Sequence, residues 1–174
     1  MQTRALVLTC IGADREGLVE ALAETVNAHG GNWLESRMAR LGGRFAGILQ
    51  VEVPTEQEDE LLVALGGLET RGLRVMTETA RANTPREKPL ELEIIGQDRP
   101  GIVHEISRVI AANGVNVDEL DTACESAPQS GEQLFRARAV LHAPDAVDQE
   151  KLFREIEAIA LDLMVDVVIE TAAD

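Results

Sequence analysis

Gly12-Ala-Asp-Arg-Glu-Gly-Leu-Val19, running on to His29-Gly-Gly-Asn32, is matched later in the chain by Gly96-Gln-Asp-Arg-Pro-Gly-Ile-Val103, running on to Asn113-Gly-Val-Asn116. Every matching position is offset by 84 residues. Gly12/Gly96, Asp14/Asp98, Arg15/Arg99, Gly17/Gly101, Val19/Val103, Ala28/Ala112, Gly30/Gly114 and Asn32/Asn116 are identical pairs, and Leu22/Ile106 and Val26/Ile110 stay apolar. An internal repeat decides the architecture before any local reading does. It divides the 174 residues into two copies of one small domain.

Working outward from the first copy, Ala5 to Ile11 is a short apolar run with the character of a buried strand, broken by Gly12 to Arg15. From Glu16 a helix is expected, with Leu18, Leu22 and Val26 on its apolar stripe, Val19 beside them, and Glu20 and Glu24 opposite. Gly30 suits the left-handed residue that ends a helix. Asn32 to Leu41 and Arg44 to Val53 read as strands joined by the hairpin signal Gly42-Gly43. Pro54 closes the second of them. Thr55 to Glu58 reads as a Thr-x-x-Glu capping box opening a helix through Leu61, Leu62, Leu65 and Leu68. Leu73 to Thr79 is a last strand, with Val75 facing inward.

The second copy repeats the order. Leu90, Leu92 and Ile94 alternate with Glu91 and Glu93, the pattern of a strand with one face buried. Ile102, Val103, Ile106, Val109 and Ile110 form a helical stripe. Val115 to Cys124 and Gln133 to His142 are strands, with the loop Ser126 to Glu132 in place of a tight hairpin. Asp145 to Asp162 reads as a helix with Leu152, Phe153, Ile156 and Ile159 inside, followed by a strand Val165 to Glu170. Each half is therefore βαββαβ, an α+β unit with an antiparallel sheet and both helices on one face. The expected boundaries are domain 1 at residues 1–81, a Pro-containing linker at 82–89 and domain 2 at 90–174.

Composition narrows the function. The net charge is −15, and Trp33, Phe45, Phe135 and Phe153 are the only aromatic residues. A βαββαβ nucleic-acid binder needs aromatic residues on its central strands and positive charge, so direct nucleic-acid contact is not expected. No stretch approaches the ~20 apolar residues of a membrane span, and the N-terminus lacks a signal-peptide pattern, so a cytoplasmic protein is expected. Cys10 and Cys124 stand at non-equivalent places in the repeat and are expected as two buried thiols. His29, His104 and His142 likewise have no counterparts, and no spacing of His and Cys suggests zinc. No nucleophile, base and orienting group come together, so neither catalysis nor a cofactor is expected.

The glycine-bearing loops are the candidate sites. Asp14 and Asp98 stand where helix N-caps are expected, accepting the N–H of Gly17 or Gly101, with Glu16 and Pro100 in the first helical turn. Capping does not account for the recurrence of Arg15/Arg99, of both glycines, and of Asn32/Asn116. The same geometry offers helix N–H groups to a carboxylate. Asp14 or Asp98, and the side-chain oxygen of Asn32 or Asn116, offer acceptors to an ammonium group. This requires the start of the second strand to lie beside the first loop.

At these residues the chain resembles the ACT domain family: Asp-Arg-Pro-Gly-Ile from Asp98, Gly-Val-Asn-Val from Gly114, and the βαββαβ order. The resemblance covers nearly the whole chain as two tandem copies. Asn32-Trp-Leu-Glu-Ser-Arg-Met-Ala-Arg-Leu-Gly-Gly-Arg-Phe45 is similar to a segment of the glycine cleavage system transcriptional repressor group, which consists of two ACT domains. The resemblance implies a ferredoxin-like fold and sensing of a small amino acid, glycine or similar, at interfaces between paired ACT domains. Homo-oligomers, in the simplest case a homodimer, follow from that pairing.

In the similar serine-sensing domain of phosphoglycerate dehydrogenase, ligand contacts match Asp14/Asp98 and Asn32/Asn116. A contributing histidine there corresponds to Ala13 and Gln97 here, so that contact is missing. Glu16 also departs from the family's proline and sets a carboxylate beside the anion position, which favours the second copy over the first. The repressor group implies action through a protein partner, such as a DNA-bound transcription activator, in keeping with the charge. A regulatory subunit of an amino-acid pathway enzyme is the alternative.

Overall fold

The computed structural model describes residues 2–81, 89–126 and 133–171. The chain divides into two compact units, Met1–Asn83 and Thr84–Asp174. Of the proposed linker, residues 82–88 lie outside the described residues, as do residues 127–132 of the longer loop.

The first unit runs β1 (Thr3–Ala13), α1 (Leu18–Ala28), β2 (Asn32–Leu41), β3 (Arg44–Pro54), a 3-10 turn (Thr55–Gln57), α2 (Glu58–Gly67), a second 3-10 turn (Leu68–Arg71) and β4 (Leu73–Thr79). The second runs β5 (Leu90–Gln97), α3 (Ile102–Ala112), β6 (Asn116–Ser126), β7 (Gln133–His142), α4 (Gln149–Leu163) and β8 (Val165–Thr171). The sheets have strand orders β2-β3-β1-β4 and β6-β7-β5-β8, with every neighbouring pair antiparallel. Each unit is thus a ferredoxin-like βαββαβ domain.

Alternation in the strands explains the layers. Leu6, Leu8 and Cys10 of β1 and Leu49, Val51 and Val53 of β3 are buried on one face. They form one cluster with Leu18, Ala21, Leu22 and Val26 of α1 and Leu61 and Leu65 of α2. Each fully buried leucine contributes about 1.5–3 kcal/mol. The second unit repeats this with Leu90, Leu92 and Ile94 against Ile102, Ile106, Ile110, Leu152 and Ile156. Val103, expected in the apolar stripe of its helix, is exposed, as is Val19 beside the stripe of the first helix. The Gly42-Gly43 turn has φ of 57° and 75°, the two positive values that a two-residue type I′ hairpin needs.

Several local expectations are corrected. β1 continues through Gly12 and Ala13, which pair with Phe45 and Arg44. Thr55 forms no capping box: its Oγ1 donates to the Gln2 carbonyl at 3.0 Å, and Glu58 pairs with Arg4 at 2.9 Å. The chain there ties the start of β1 to the start of α2. The last helix begins later than Asp145 because Asp148 supplies its N-cap, accepting from the Lys151 N–H at 2.9 Å. Cys10 is buried, but Cys124 is exposed.

Candidate functional site

The repeated loop makes the same corner in both units. At the end of β1, a Cβ on Gly12 would collide with the Gly72 carbonyl oxygen, so the strand passes that turn only as glycine. The Asp14 N–H then donates to the Gly43 carbonyl at 3.0 Å, and the Asp98 N–H to the Gln133 carbonyl at 2.9 Å. These bonds fasten each loop to the neighbouring end of β3 or β7.

The expected aspartate caps are not formed. The N-caps of α1 and α3 are Gly17 and Gly101, left-handed with φ of 81° and 100°, and neither helix has a side-chain cap. Glu16 and Pro100 lie in the turn before the helix, not in its first turn. The physical reason is the glycine: its left-handed backbone turns the chain into the helix three residues after the aspartate, too late for that carboxylate to cap. The first N–H groups of both helices are left without a side-chain acceptor, an arrangement suited to an external anion.

What each aspartate meets differs. Asp14 accepts from Arg40 Nη1 at 3.1 Å. The residue 84 positions after Arg40 is Cys124. It occupies the same register, since Arg40 pairs with Phe45 on β3 and Cys124 with Phe135 on β7. Desolvation, the charge of Asp98 and a hydrogen bond to its carboxylate push the Cys124 thiol up. One corner therefore holds its carboxylate in an ion pair; the other holds it against a neutral thiol. Among the described residues, no arginine or lysine lies within ion-pair distance of Asp98. The sequence reading placed neither Arg40 nor Cys124 at these corners, although their 84-residue offset marks them as counterparts.

The two arginines also diverge. A Cβ on Gly72 would fall onto the Arg15 guanidinium, so Arg15 lies over the bare backbone of that turn. Leu73 and Val165 pair with Gly12 and Gly96, which makes Met164 the counterpart of Gly72. Met164 is also left-handed, with φ of 54°, but carries a side chain. Arg99 has no equivalent bare turn to lie on. Beside Arg15 is a shallow recess of about 280 Å³, lined by Arg15, Glu16, Leu18, Leu68 and Arg71 among others.

Asn32 and Asn116 are not brought to these corners within their own units. β1 and β2 are both antiparallel to β3, so β2 starts level with the start of β1. Asn32 is opposite Glu52, which is opposite Ala5, and Asp14 lies roughly 30 Å further along by strand rise. Asn116 is opposite His142, one step beyond the Leu141–Leu90 pair, and is equally far from Asp98. The Asn116 amide instead donates to Asp118 at 2.7 Å. The expectation that the second strand starts beside the first loop does not hold inside one domain, because α1 and α3 carry the chain back to the opposite end of the sheet.

The histidines do not join either corner. His29 Nδ1 lies 2.8 Å from the Thr25 carbonyl at the end of α1, and His104 lies 3.9 Å from Glu105 on the exposed side of α3. Among the described residues no three His, Cys, Asp or Glu side chains are grouped to hold a metal, and no helix is long and apolar enough to cross a membrane.

Comparison with known proteins agrees with this fold. A family model described as an ACT domain matches residues 4–77, and a second ACT domain model matches residues 91–160. The glycine cleavage system transcriptional repressor of Escherichia coli (strain K12) is 26% identical over 161 residues, covering 91% of this chain and 85% of the relative. The protein of that name from Shigella flexneri matches equally. A crystal structure of an unknown protein from Galdieria sulphuraria shares 30% identity and a TM-score of 0.88, covering 99% of this chain and all of the other. A structure provisionally designated a glycine cleavage system transcriptional repressor covers both chains fully with a TM-score of 0.70; at 17% identity it speaks to the fold alone. With both halves matched and both built on the same corner, the chain belongs to the ACT domain family, as two tandem domains.

Proposed function

We propose that this protein is an amino-acid-responsive regulator, and that its principal ligand contact is the second corner. One observation carries the reading: the same loop is built twice, but only at the second corner does the aspartate stand without a cationic partner beside an uncapped helix start. A small zwitterion suits that place. Its carboxylate takes the N–H groups at the start of α3, and its ammonium group takes Asp98. Gly101 leaves the approach bare, Arg99 borders it, and Pro100 brings no charge. At the first corner Asp14 is already occupied by Arg40, and Glu16 repels a carboxylate. Asp14, Arg15, Gly17 and Asn32 are therefore the weaker set.

Asn116 contributes in this reading only from a second copy of the chain, since its own corner is at the far end of its sheet. Ligand binding is thereby coupled to self-association, and a ligand that favours the paired form shifts its population. The regulated partner is a protein, such as a DNA-bound activator. The relatives named as glycine cleavage repressors and the net charge of −15 support transcriptional control through protein contact. Glycine is the first ligand to try. Isothermal titration with the twenty amino acids, with glycine first, tests the reading. Binding that is lost in Asp98→Ala and Asn116→Ala supports it; no binding at millimolar concentration refutes it.

A further inference from the structure

The open face of the first unit's sheet, the side away from α1 and α2, is apolar at its centre. Thr9 of β1 pairs with Ile48 of β3 and Met76 of β4, and Arg37 of β2 pairs with Ile48. One row across the four strands therefore reads Arg37–Ile48–Thr9–Met76, and the next reads Ala39–Ala46–Ile11–Arg74. Ile11, Ile48 and Met76 are 43%, 52% and 60% exposed. Ile48 and Met76 flank Thr9, with Ile11 on the adjoining row, so the three form one patch rather than scattered surface residues. The second unit supplies the comparison. By the same pairing its rows read Asp121–Arg138–Glu93–Val168 and Ala123–Arg136–Ile95–Asp166. There Arg138 and Glu93 close an ion pair at 2.7 Å in place of Ile48 and Thr9. The domain therefore folds with a charged open face, and the apolar one is not needed to build it.

We infer that this face is the contact through which two copies of the chain pair, first unit to first unit, as a two-layer sandwich of sheets. Its size suits a second copy. Four strands about 4.8 Å apart and about 25 Å long give a footprint of roughly 500 Å² per copy. Face-to-face pairing then buries on the order of 1,000 Å² in all, the threshold for a specific interface. Its charges are self-complementary. Along β4 the face presents Arg74, Met76 and Glu78 in that order. A two-fold axis lying across the strands at Met76 sets Arg74 of each copy against the partner's Glu78, with the apolar side chains between them. Arg37, at the opposite edge, keeps its counter-charge in Glu35 at 3.1 Å. The second unit's face is unsuited to such pairing, because it would strip water from Glu93 and Arg138. Among the described residues the apolar face carries no aromatic side chain on which a nucleic-acid base would stack. The pairing uses no residue of either aspartate corner and needs no ligand, so it stands apart from the proposed amino-acid site.

The test is analytical ultracentrifugation of the full chain across micromolar concentrations in buffer free of amino acids. A reversible monomer–dimer equilibrium is expected. Ile48→Arg installs the residue type that the second unit carries at Arg138, and Met76→Glu changes an exposed side chain, so both should fold; circular dichroism checks this. If Ile48→Arg alone does not fold, Thr9→Glu combined with it reproduces the Glu93–Arg138 pair and takes its place. Each variant is expected to weaken pairing by about tenfold or more. Val168→Glu, the counterpart of Met76→Glu on the second unit, is expected to leave pairing unchanged. Arg74→Glu should weaken pairing, and adding Glu78→Arg to it should restore it. A monomer at every concentration overturns the inference, the face then being left to a different protein. So does a dimer indifferent to Ile48→Arg and Met76→Glu, or one that Val168→Glu weakens as much. A double charge reversal that restores nothing overturns the placement of the axis at Met76.

Discussion

Cys124→Arg transplants the first corner's chemistry into the second. In the first unit the side chain at this register reaches Asp14 with a 3.1 Å contact between Nη1 and Oδ2. The backbone around Cys124 repeats that register, paired with Phe135 as Arg40 is with Phe45. An arginine at 124 therefore reaches Asp98. Two effects compete. As an exposed ion pair the new contact adds only about 0.2–1 kcal/mol to stability. It also removes the acceptor that a ligand ammonium group needs, a charge-assisted hydrogen bond worth about 1.5–3 kcal/mol. Ligand affinity is expected to fall by about 10- to 150-fold while the unfolding midpoint hardly moves. Calorimetric titration with glycine, alongside thermal unfolding monitored by circular dichroism, measures both. Unchanged affinity with an intact fold would refute the claim that an unneutralised Asp98 is what distinguishes the second corner.

Gly12→Ala drives a methyl group into the Gly72 backbone and should destabilise the first unit by about 1–3 kcal/mol, read by urea unfolding; an unchanged midpoint would contradict that close approach. Met164→Gly relieves a left-handed non-glycine residue and should raise stability by up to about 1 kcal/mol in the same assay, whereas a loss would show that the Met164 side chain packs favourably. The raised Cys124 thiol should make alkylation by iodoacetamide slow at neutral pH, with its pH midpoint above that of an ordinary thiol. Asp98→Asn removes the carboxylate charge that disfavours the thiolate, so the midpoint should move down and the rate at fixed pH should rise; no movement would separate the two side chains.

The pattern of apolar residues made most of this fold legible. Leu90-x-Leu92-x-Ile94 could bury one face only, and Gly42-Gly43 could hardly be anything but a tight hairpin. The helix starts were harder. Aspartate is a common N-cap, and nothing local in Asp14-Arg-Glu-Gly17 says that the glycine will cap in its place; that depends on the strand running two residues further, past the Gly72 turn. Thr55 likewise looked like a cap, but found the Gln2 carbonyl at the start of the neighbouring central strand, a partner 53 residues away in the chain. The site was half legible. Recurrence marked the loop and the asparagines, but the distance between them follows from strand direction: β2 runs parallel to β1, so Asn32 begins where β1 begins. The Arg40/Cys124 difference lay in the same repeat and went unread because those residues sit on a strand, away from the glycine motif. Arg71, Gly72 and Leu68 carry no motif at all, and only the folded chain brings them beside Arg15.

The central claim is that the second corner binds a small amino acid and the first does so far less well. The most direct measurement is a calorimetric titration of glycine into the full chain, repeated with Asp98→Asn and with Asp14→Asn. Saturable binding to the unsubstituted chain is expected, lost or weakened at least tenfold by Asp98→Asn and nearly unchanged by Asp14→Asn. Equal effects of the two substitutions, or no binding of glycine or of any other amino acid at millimolar concentration, would contradict it.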